Sequence, residues 1–343
     1  MPALSLPVNF VIPECHVWPE IRSGTMDEIT DEVLAQRCVG AMANWVVIPY
    51  VYFCKAGLSP SRSAKPVNGV INITSAHDFP LRERAPEAFI VACRADAHVP
   101  ELANFVFEQN QVRSHLPGVA WTPHWPQPGL IPRDPARGQR LENLTYKGEV
   151  NNLWIGFRDD AFLAALRQLD VELKIDPRTP PGGAKLQMHD YSAADAVIAV
   201  RNLTEADFKT KPASKLVNAW FAGTPALLGV EPGFRDLRKS DLDYLEVDSP
   251  ETAIQAIQKL RSDPGLCEAM RQNGYRRAKE FTVEALILRW VELLNGPVAE
   301  AFRTWNATPE PMKLMRWGLS AVREKVSKRQ AQYDRVNGPR PFG

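Results

Sequence analysis

The chain has few cysteines, no long apolar run and almost no net charge. No apolar run approaches the roughly 20 residues that span a bilayer, and a formal net charge of +1 argues against a strong overall nucleic-acid signature. The first residues lack a basic region ahead of a long apolar one, so no secretory signal peptide is predicted. The cysteines show no close pairing or metal-ligand spacing, which favours reduced thiols in the cytoplasm. They are Cys15, Cys38, Cys54, Cys93 and Cys267.

The histidines also lack the spacing of a metal site. There is no His-x-x-x-His pattern in the sequence. We therefore predict neither a bound metal ion nor a cofactor.

The length and composition predict two α/β domains. A chain of 343 residues exceeds the usual size of one hydrophobic core, and its 45% apolar fraction is ordinary for a globular protein. The proline-rich segment 117–137 is typical of a stiff, irregular connector. We place the boundary there, which predicts a first domain at 1–135, a second domain at 136–305, and a basic amphipathic helix with a tail at 306–343.

Apolar runs alternate with polar loops along both predicted domains. In the first, they predict strands at 8–12, 67–74, 88–93 and 104–108, with a helix at 31–44 and another apolar run at 45–53. In the second, they predict strands at 144–148 and 171–175, and helices at 159–169, 250–261, 264–281 and 283–294. Such alternation is typical of doubly wound sheets.

The most informative segment is 194–229. Its two apolar runs, 196–200 and 225–228, predict parallel strands that are buried on both faces. Between them, Ser214 can cap a helix that Gly223 ends. Arg201 follows the first strand, and Lys211 and Lys215 flank the start of the helix. Ligands of open α/β sheets bind beyond the carboxyl ends of strands, and helix N-termini attract phosphate, so these cations predict an anionic ligand.

The ending of this helix, Asn-Ala-Trp-Phe-Ala-Gly-Thr-Pro at 218–225, resembles the donor-binding core of nucleotide-sugar glycosyltransferases of the GT-B architecture. Many retaining members carry a Glu pair ahead of this ending, and here Lys211 and Asn218 take the two positions. The resemblance implies two facing Rossmann-like domains and a C-terminal crossing helix. It also implies that Gly148 approaches the donor phosphates, that Asn218 holds ribose hydroxyls, and that Glu231 contacts the sugar or the nucleotide.

Each of these residues also has a purely structural interpretation. Arg201 can instead pair with a local acid such as Glu205 or Asp207, and Lys215 can be a solvated surface lysine. Asn218 can be a helix-surface amide, and Glu231 can belong to an ordinary turn before Pro-Gly.

In the first predicted domain, polar groups follow two strands. Glu14 and His16 come after the opening strand, and His77 and Asp78 come after the strand 67–74. An imidazole with a neighbouring carboxylate can take a proton from an acceptor hydroxyl, which makes His77, Asp78 and His16 the catalytic candidates. Loop histidines without any catalytic role are the alternative interpretation.

The C-terminal segment is strongly basic. Residues 311–343 carry eight Lys or Arg against two acids, and five apolar side chains there follow helical spacing. They are Met315, Leu319, Val322, Val326 and Tyr333. The helix can pack across the other domain, or it can rest on an anionic membrane surface near a lipid-linked acceptor. Packing is the favoured interpretation, and nucleic-acid binding is not predicted.

Together these patterns predict a cytoplasmic, metal-independent glycosyltransferase. It would move a hexose-type sugar from a nucleotide diphosphate to the hydroxyl of a glycan, a lipid-linked or a small-molecule acceptor, and the resemblance leans towards retention of anomeric configuration. A sugar-nucleotide epimerase of the same layout and a non-catalytic sugar-nucleotide or glycan-binding protein are the alternatives.

Overall fold

The protein is described by a computed structural model that covers residues 2–177 and 187–340. These residues form two compact units. Unit 1 contains the chain up to His124 together with Val283–Gly338, and unit 2 contains Trp125–Thr282 together with Pro339 and Arg340. The limits differ from the predicted 1–135 and 136–305, because unit 2 already begins at Trp125 and the chain from Val283 onward packs in unit 1.

Unit 1 is built on a six-stranded parallel sheet. Its strands are β1 (Val8–Val11), β2 (Ser61–Ser63), β3 (Ile71–Ser75), β4 (Phe89–Cys93), β5 (Phe105–Glu108) and β6 (Val119–Trp121). Their order across the sheet is β2-β1-β3-β4-β5-β6. Every residue of β1, β3, β4 and β5 is buried, as expected for strands that are covered on both faces.

The apolar run 45–53 is helical rather than extended. After α1 (Pro19–Ser23) and α2 (Asp31–Arg37), a π-helical turn (Ala43–Val47) continues into α3 (Ile48–Lys55). Phe53 of α3 makes edge-to-face contacts with Phe10 and Trp290, at ring-centroid distances of 5.6 and 6.0 Å. A short run of apolar residues does not distinguish a buried helix from a buried strand by periodicity, and tertiary packing decides the outcome here.

Unit 2 contains a five-stranded parallel sheet. Its strands are β7 (Asn143–Lys147), β8 (Glu172–Asp176), β9 (Ala196–Ala199), β10 (Ala226–Leu228) and β11 (Leu245–Glu246), in the order β11-β10-β9-β7-β8. Its helices are α4 (Asp160–Gln168), α5 (Glu205–Phe208), α6 (Ser214–Ala222), α7 (Pro232–Leu237), α8 (Pro250–Ser262) and α9 (Pro264–Ala278).

The predicted strand, helix and parallel strand between 194 and 229 are confirmed as β9, α6 and β10. Gly223 ends α6 in the left-handed conformation, with φ of 64°. The predicted cap is wrong, because Ser214 is the first helical residue and the N-cap, Ala213, makes no side-chain hydrogen bond to the helix. Trp220 anchors the helix in the core, where its indole N–H donates to the carbonyl oxygen of Asp243 at 3.0 Å.

Three helices return the chain to unit 1. They are α10 (Val283–Asn295), α11 (Pro297–Ala307) and α12 (Glu310–Asn337). No helix within residues 2–177 and 187–340 combines the length and the apolar character needed to span a bilayer.

Helix α12 packs on unit 1 through its polar face. Glu324 is buried, and its carboxylate lies 2.5 Å from Nε2 of His98 and accepts a hydrogen bond from the Leu102 amide at 3.3 Å. Ser327 donates to the carbonyl of Val99 at 3.1 Å. The prediction that the C-terminal helix packs is therefore confirmed. The predicted apolar stripe is not the packed face, because it lies on the opposite side of the helix and is more than half exposed throughout.

Candidate functional site

The candidate binding site of unit 2 lies at the carboxyl edge of its sheet. Strands β7, β9 and β10 are parallel neighbours, so the residues that follow them emerge at the same edge. Gly148 follows β7, Arg201 follows β9 and Glu231 follows β10. This is the position at which open α/β sheets bind ligands.

Gly148 and Lys215 come together at the start of helix α6. Gly148 has φ of 149°, and a Cβ atom placed on it would lie 3.0 Å from Nζ of Lys215 and 3.1 Å from the hydroxyl of Tyr146. Only glycine leaves this approach open. Lys215 occupies the first turn of α6, where the helix dipole disfavours a cation, and its ammonium group donates to the carbonyl oxygen of Lys147.

The aromatic ring of Tyr146 forms a neutral wall beside this lysine. Nζ of Lys215 lies 5.1 Å from the ring centroid, within cation–π distance. Burial raises the pKa of Tyr146 to about 12, so its hydroxyl keeps its proton and donates to the carbonyl of Glu149 at 3.2 Å. Sequence reasoning missed Tyr146, although its place two residues before the strand-ending glycine puts it on the same edge.

Arg201 and Glu231 form a buried ion pair. Their charged groups are 3.1 Å apart, and the two side chains are only 7% and 1% exposed. The guanidinium also lies over the ring of Phe234, at 5.7 Å from the centroid. The structure therefore brings two predicted ligand residues together, and the local acid that pairs with Arg201 is Glu231 rather than Glu205 or Asp207.

Asn218 and Lys211 lie on either side of the first turn of α6. Asn218 is buried, and its carbonyl oxygen accepts a hydrogen bond from the Gln127 amide at 3.0 Å. Burial raises the pKa of Tyr191, and a hydrogen bond with the Asn218 side chain acts in the opposite direction. Lys211 is half-buried in the loop after α5, where its amide donates to the carbonyl of Phe208 at 3.2 Å.

Two further cations at this edge were not predicted. Lys147 is buried in β7, where its ammonium group lies 2.5 Å from a carboxylate oxygen of Asp176. Arg340 donates to the carbonyl of Asn202 at 2.9 Å, which joins the end of the described chain to the loop after Arg201. The position of Lys147 directly before the strand-ending glycine could have predicted its place at this edge. Nothing in the sequence around Arg340 predicts its contact with Asn202.

His77 and Asp78 form a structured turn at the carboxyl end of β3 in unit 1. The hydroxyl of Ser75 accepts hydrogen bonds from the amides of both residues, at 3.2 and 3.3 Å, and donates to one carboxylate oxygen of Asp78 at 2.9 Å. The other carboxylate oxygen lies 3.2 Å from Nδ1 of His77. The imidazole is 58% exposed, so this pair presents a solvent-accessible ring that is oriented by a fixed carboxylate.

His16 lies at the same sheet edge in a separate turn. It ends a 3-10 helix (Glu14–His16) after β1, and Glu14 pairs with Arg22 at 3.1 Å and with Arg62 at 3.3 Å. Across residues 2–177 and 187–340, no hydrogen bond or ion pair joins His16 to His77 or Asp78. The two predicted sets of catalytic candidates are thus not brought into contact.

Two parallel sheets with helices on their faces give the chain the α/β architecture of two Rossmann-like domains, which is the GT-B fold. Among solved structures it is similar to AviGT4, a glycosyltransferase involved in avilamycin A biosynthesis, with 14% identity and a TM-score of 0.53, over 86% of this chain and 99% of that one. It is also similar to sucrose-phosphate synthase from Thermosynechococcus elongatus, with 15% identity and a TM-score of 0.50, over 73% of this chain and 76% of that one.

TarM is a more distant match, with 10% identity and a TM-score of 0.49, and the chain covers 66% of its own length and 55% of TarM. No protein-family model matches the sequence, and no curated protein matches it.

Proposed function

We propose that the protein is a glycosyltransferase that moves a sugar from a nucleotide diphosphate sugar to an acceptor hydroxyl. The observation that carries this proposal is the approach of Lys215 to Gly148 at the N-terminus of α6, at the carboxyl edge of a GT-B sheet. The backbone opening, the cation and the positive end of the helix dipole all favour a phosphate at this point. The similarity in fold to AviGT4 and sucrose-phosphate synthase supports a transferase.

In this proposal the departing nucleotide diphosphate is stabilised without a metal ion. Lys215 and the amides of the first turn of α6 receive the diphosphate as its negative charge develops. Lys211 stands beside them, and Arg201 sets the edge of the site through its pair with Glu231. Asn218 offers a donor and an acceptor to the ribose hydroxyls. Retention of configuration is the stereochemical course that we propose.

The acceptor hydroxyl is proposed to lose its proton to His77 in unit 1. The carboxylate of Asp78 lies 3.2 Å from Nδ1, which favours the tautomer that carries a proton on Nδ1 and leaves Nε2 as the base. His16 is a second candidate for contact with the acceptor. A His77→Ala variant is expected to lower turnover by about 100-fold or more with nucleotide binding unchanged. Full turnover in that variant would remove His77 as the base.

Thermal stabilisation by UDP-, GDP-, dTDP- and ADP-sugars tests the donor site. A ligand at 100 times its Kd stabilises the folded chain by about 2.7 kcal/mol, and Lys215→Ala should abolish most of that shift for the base that binds. Lys259→Ala, an exposed lysine on α8, is the matched control and should keep it. A full shift in Lys215→Ala contradicts the phosphate assignment. Product analysis then separates transfer from epimerisation, and binding without turnover indicates a non-catalytic binder.

We further propose that helix α12 contacts an anionic membrane surface. Met315, Leu319, Val322, Val326 and Tyr333 are 56–63% exposed on the side of the helix that faces away from its packed residues, and the helix is rich in Lys and Arg. Apolar side chains and basic residues on one exposed helix are the features that bind anionic bilayers.

Co-sedimentation with vesicles tests this contact. The protein should sediment with phosphatidylserine-containing vesicles and not with pure phosphatidylcholine vesicles, and a Val322→Asp/Val326→Asp variant should stay in solution. Equal sedimentation of the variant and the wild type would contradict the proposal.

A further inference from the structure

Unit 1 contains a cavity between the turn after β3 and helix α12. It has a volume of about 680 Å³, and His77 and Asp78 lie on its wall together with His98 and Glu324. The contacts of Glu324 with His98 and with the Leu102 amide fix the helix against the loop that joins β4 and β5.

The charge in this cavity is predominantly positive. Five cationic side chains line it against three carboxylates. The cations are Arg82, Lys325, Lys328, Arg329 and Arg335.

The three carboxylates already have partners of their own. Asp78 is bound by Ser75 and His77, Asp96 accepts a hydrogen bond from the side-chain amide of Gln109 at 2.6 Å, and Glu324 is bound by His98 and the Leu102 amide. Asp78 and Glu324 are therefore engaged by neutral donors or by histidine, and Arg335 donates to the backbone carbonyl of Asp96 at 3.1 Å.

Several of the cations have no such compensation. In the part of the chain that the structure describes, no carboxylate forms an ion pair with Lys325, Lys328 or Arg329, and Arg82 donates to a backbone carbonyl, that of Ala321, at 3.1 Å. Uncompensated cations that line a concave surface raise the local concentration of anions and bind phosphate by charge-assisted hydrogen bonds.

We infer that this cavity binds a phosphate group and that the acceptor of the reaction is therefore a phosphorylated molecule, whose hydroxyl is presented to His77. The anion site stands on the cavity alone, and only its assignment to the acceptor rests on the proposed function. A free phosphorylated sugar and the phosphate of a lipid-linked one share this chemistry.

Calorimetric titration of inorganic pyrophosphate tests the site. The titration uses the Lys215→Ala variant, in which the proposed donor-phosphate site of unit 2 is already weakened. We expect one equivalent to bind, and the additional Lys328→Ala/Arg329→Ala substitutions should weaken binding by at least about tenfold, because two charge-assisted contacts with the anion are lost. Arg303→Ala, an exposed arginine of α11 outside the cavity, is the matched control and should bind as before. Unchanged affinity in the Lys328/Arg329 variant, or no binding at all, overturns the inference.

A second arm distinguishes the two sources of phosphate. If dihexanoyl phosphatidic acid competes with pyrophosphate and the control dihexanoyl phosphatidylcholine does not, the bound phosphate belongs to a lipid. If pyrophosphate binds and neither lipid competes, the phosphate belongs to a soluble molecule. The outcomes also separate the two proposals. Loss of pyrophosphate binding leaves stabilisation of the wild type by nucleotide sugars intact, whereas failure of every nucleotide sugar leaves the anion site standing without its assignment to an acceptor.

Discussion

The buried pair of Arg201 and Glu231 gives the sharpest prediction about unit 2. Replacing Glu231 by Met removes one charge from a pair whose groups are 3.1 Å apart and leaves the guanidinium buried without compensation. Glu231 is also the N-cap of α7, but its side chain makes no capping hydrogen bond, so no cap is lost. Breaking a buried pair from one side costs about 3–5 kcal/mol. In a unit of this size that lowers Tm by roughly 6–20 °C.

A double-mutant cycle separates the pair from its surroundings. We expect Arg201→Met and Glu231→Met each to be strongly destabilising and the double variant to recover most of the loss, because well-packed apolar residues replace buried ion pairs at little cost. Circular dichroism during chemical unfolding measures all four proteins. If the free energy of unfolding lost in the double variant equals the sum of the losses in the two single variants, the reasoning is refuted, because the two charges would then act independently.

The same variant reports on the ligand. In Glu231→Met, a diphosphate can supply the negative charge that Arg201 has lost, so UDP, which lacks the sugar, should raise Tm by more than it does in the wild type. An equal or smaller shift would mean that the phosphate lies out of reach of Arg201.

Three further predictions follow from local geometry. Asp195→Asn should cost about 3–5 kcal/mol at neutral pH, because its buried carboxylate is held by two arginines and two backbone amides. Burial raises the pKa of Asp195, but these partners outweigh burial and hold the pKa below its unfolded value of about 3.9. The stabilisation by Asp195 is therefore present above the unfolded pKa and is lost as pH falls through the folded pKa. The difference in free energy of unfolding between variant and wild type, measured by urea unfolding, should narrow below about pH 4. Gly148→Ala should reduce the thermal shift by the nucleotide sugar, because side chains rarely adopt its φ of 149° and its Cβ would crowd Nζ of Lys215 at 3.0 Å. Val322→Asp and Val326→Asp should change the free energy of unfolding by less than about 0.5 kcal/mol each, because both side chains are exposed.

The core of unit 2 was predictable because local and tertiary signals agree there. The apolar runs that became β9 and β10 are short, continuous and bounded by turn residues, and Gly223 ends the helix between them in the conformation that favours glycine. The edge at which Gly148, Arg201 and Glu231 meet follows directly from the parallel arrangement. Periodicity and chain direction therefore carry enough information to locate this candidate site.

Two features could not be predicted because tertiary packing decides them: the structure of the run 45–53 and the packed face of α12. The run 45–53 is apolar enough for a strand or a helix, and contacts with Phe10 and Trp290 accompany the helix. The stripe on α12 has the spacing of a buried face, yet a single carboxylate, Glu324, fixes the opposite face through His98, 226 residues away in sequence. No pattern within one helix reveals such a partner.

The buried cations of the unit 2 site and the exposed cations of the unit 1 cavity differ in whether a carboxylate balances their charge. Arg201 and Lys147 are buried and each is matched by a carboxylate, so they hold the edge of unit 2 in place and are poor candidates for a large change on ligand binding. Lys328 and Arg329 are exposed, line a cavity, and have no carboxylate partner among the described residues, so a phosphate would be their first counter-charge. Because a sequence gives the number of cations but not their partners, the anion cavity of unit 1 emerged only from the structure, although its residues were already visible as a basic C-terminal segment.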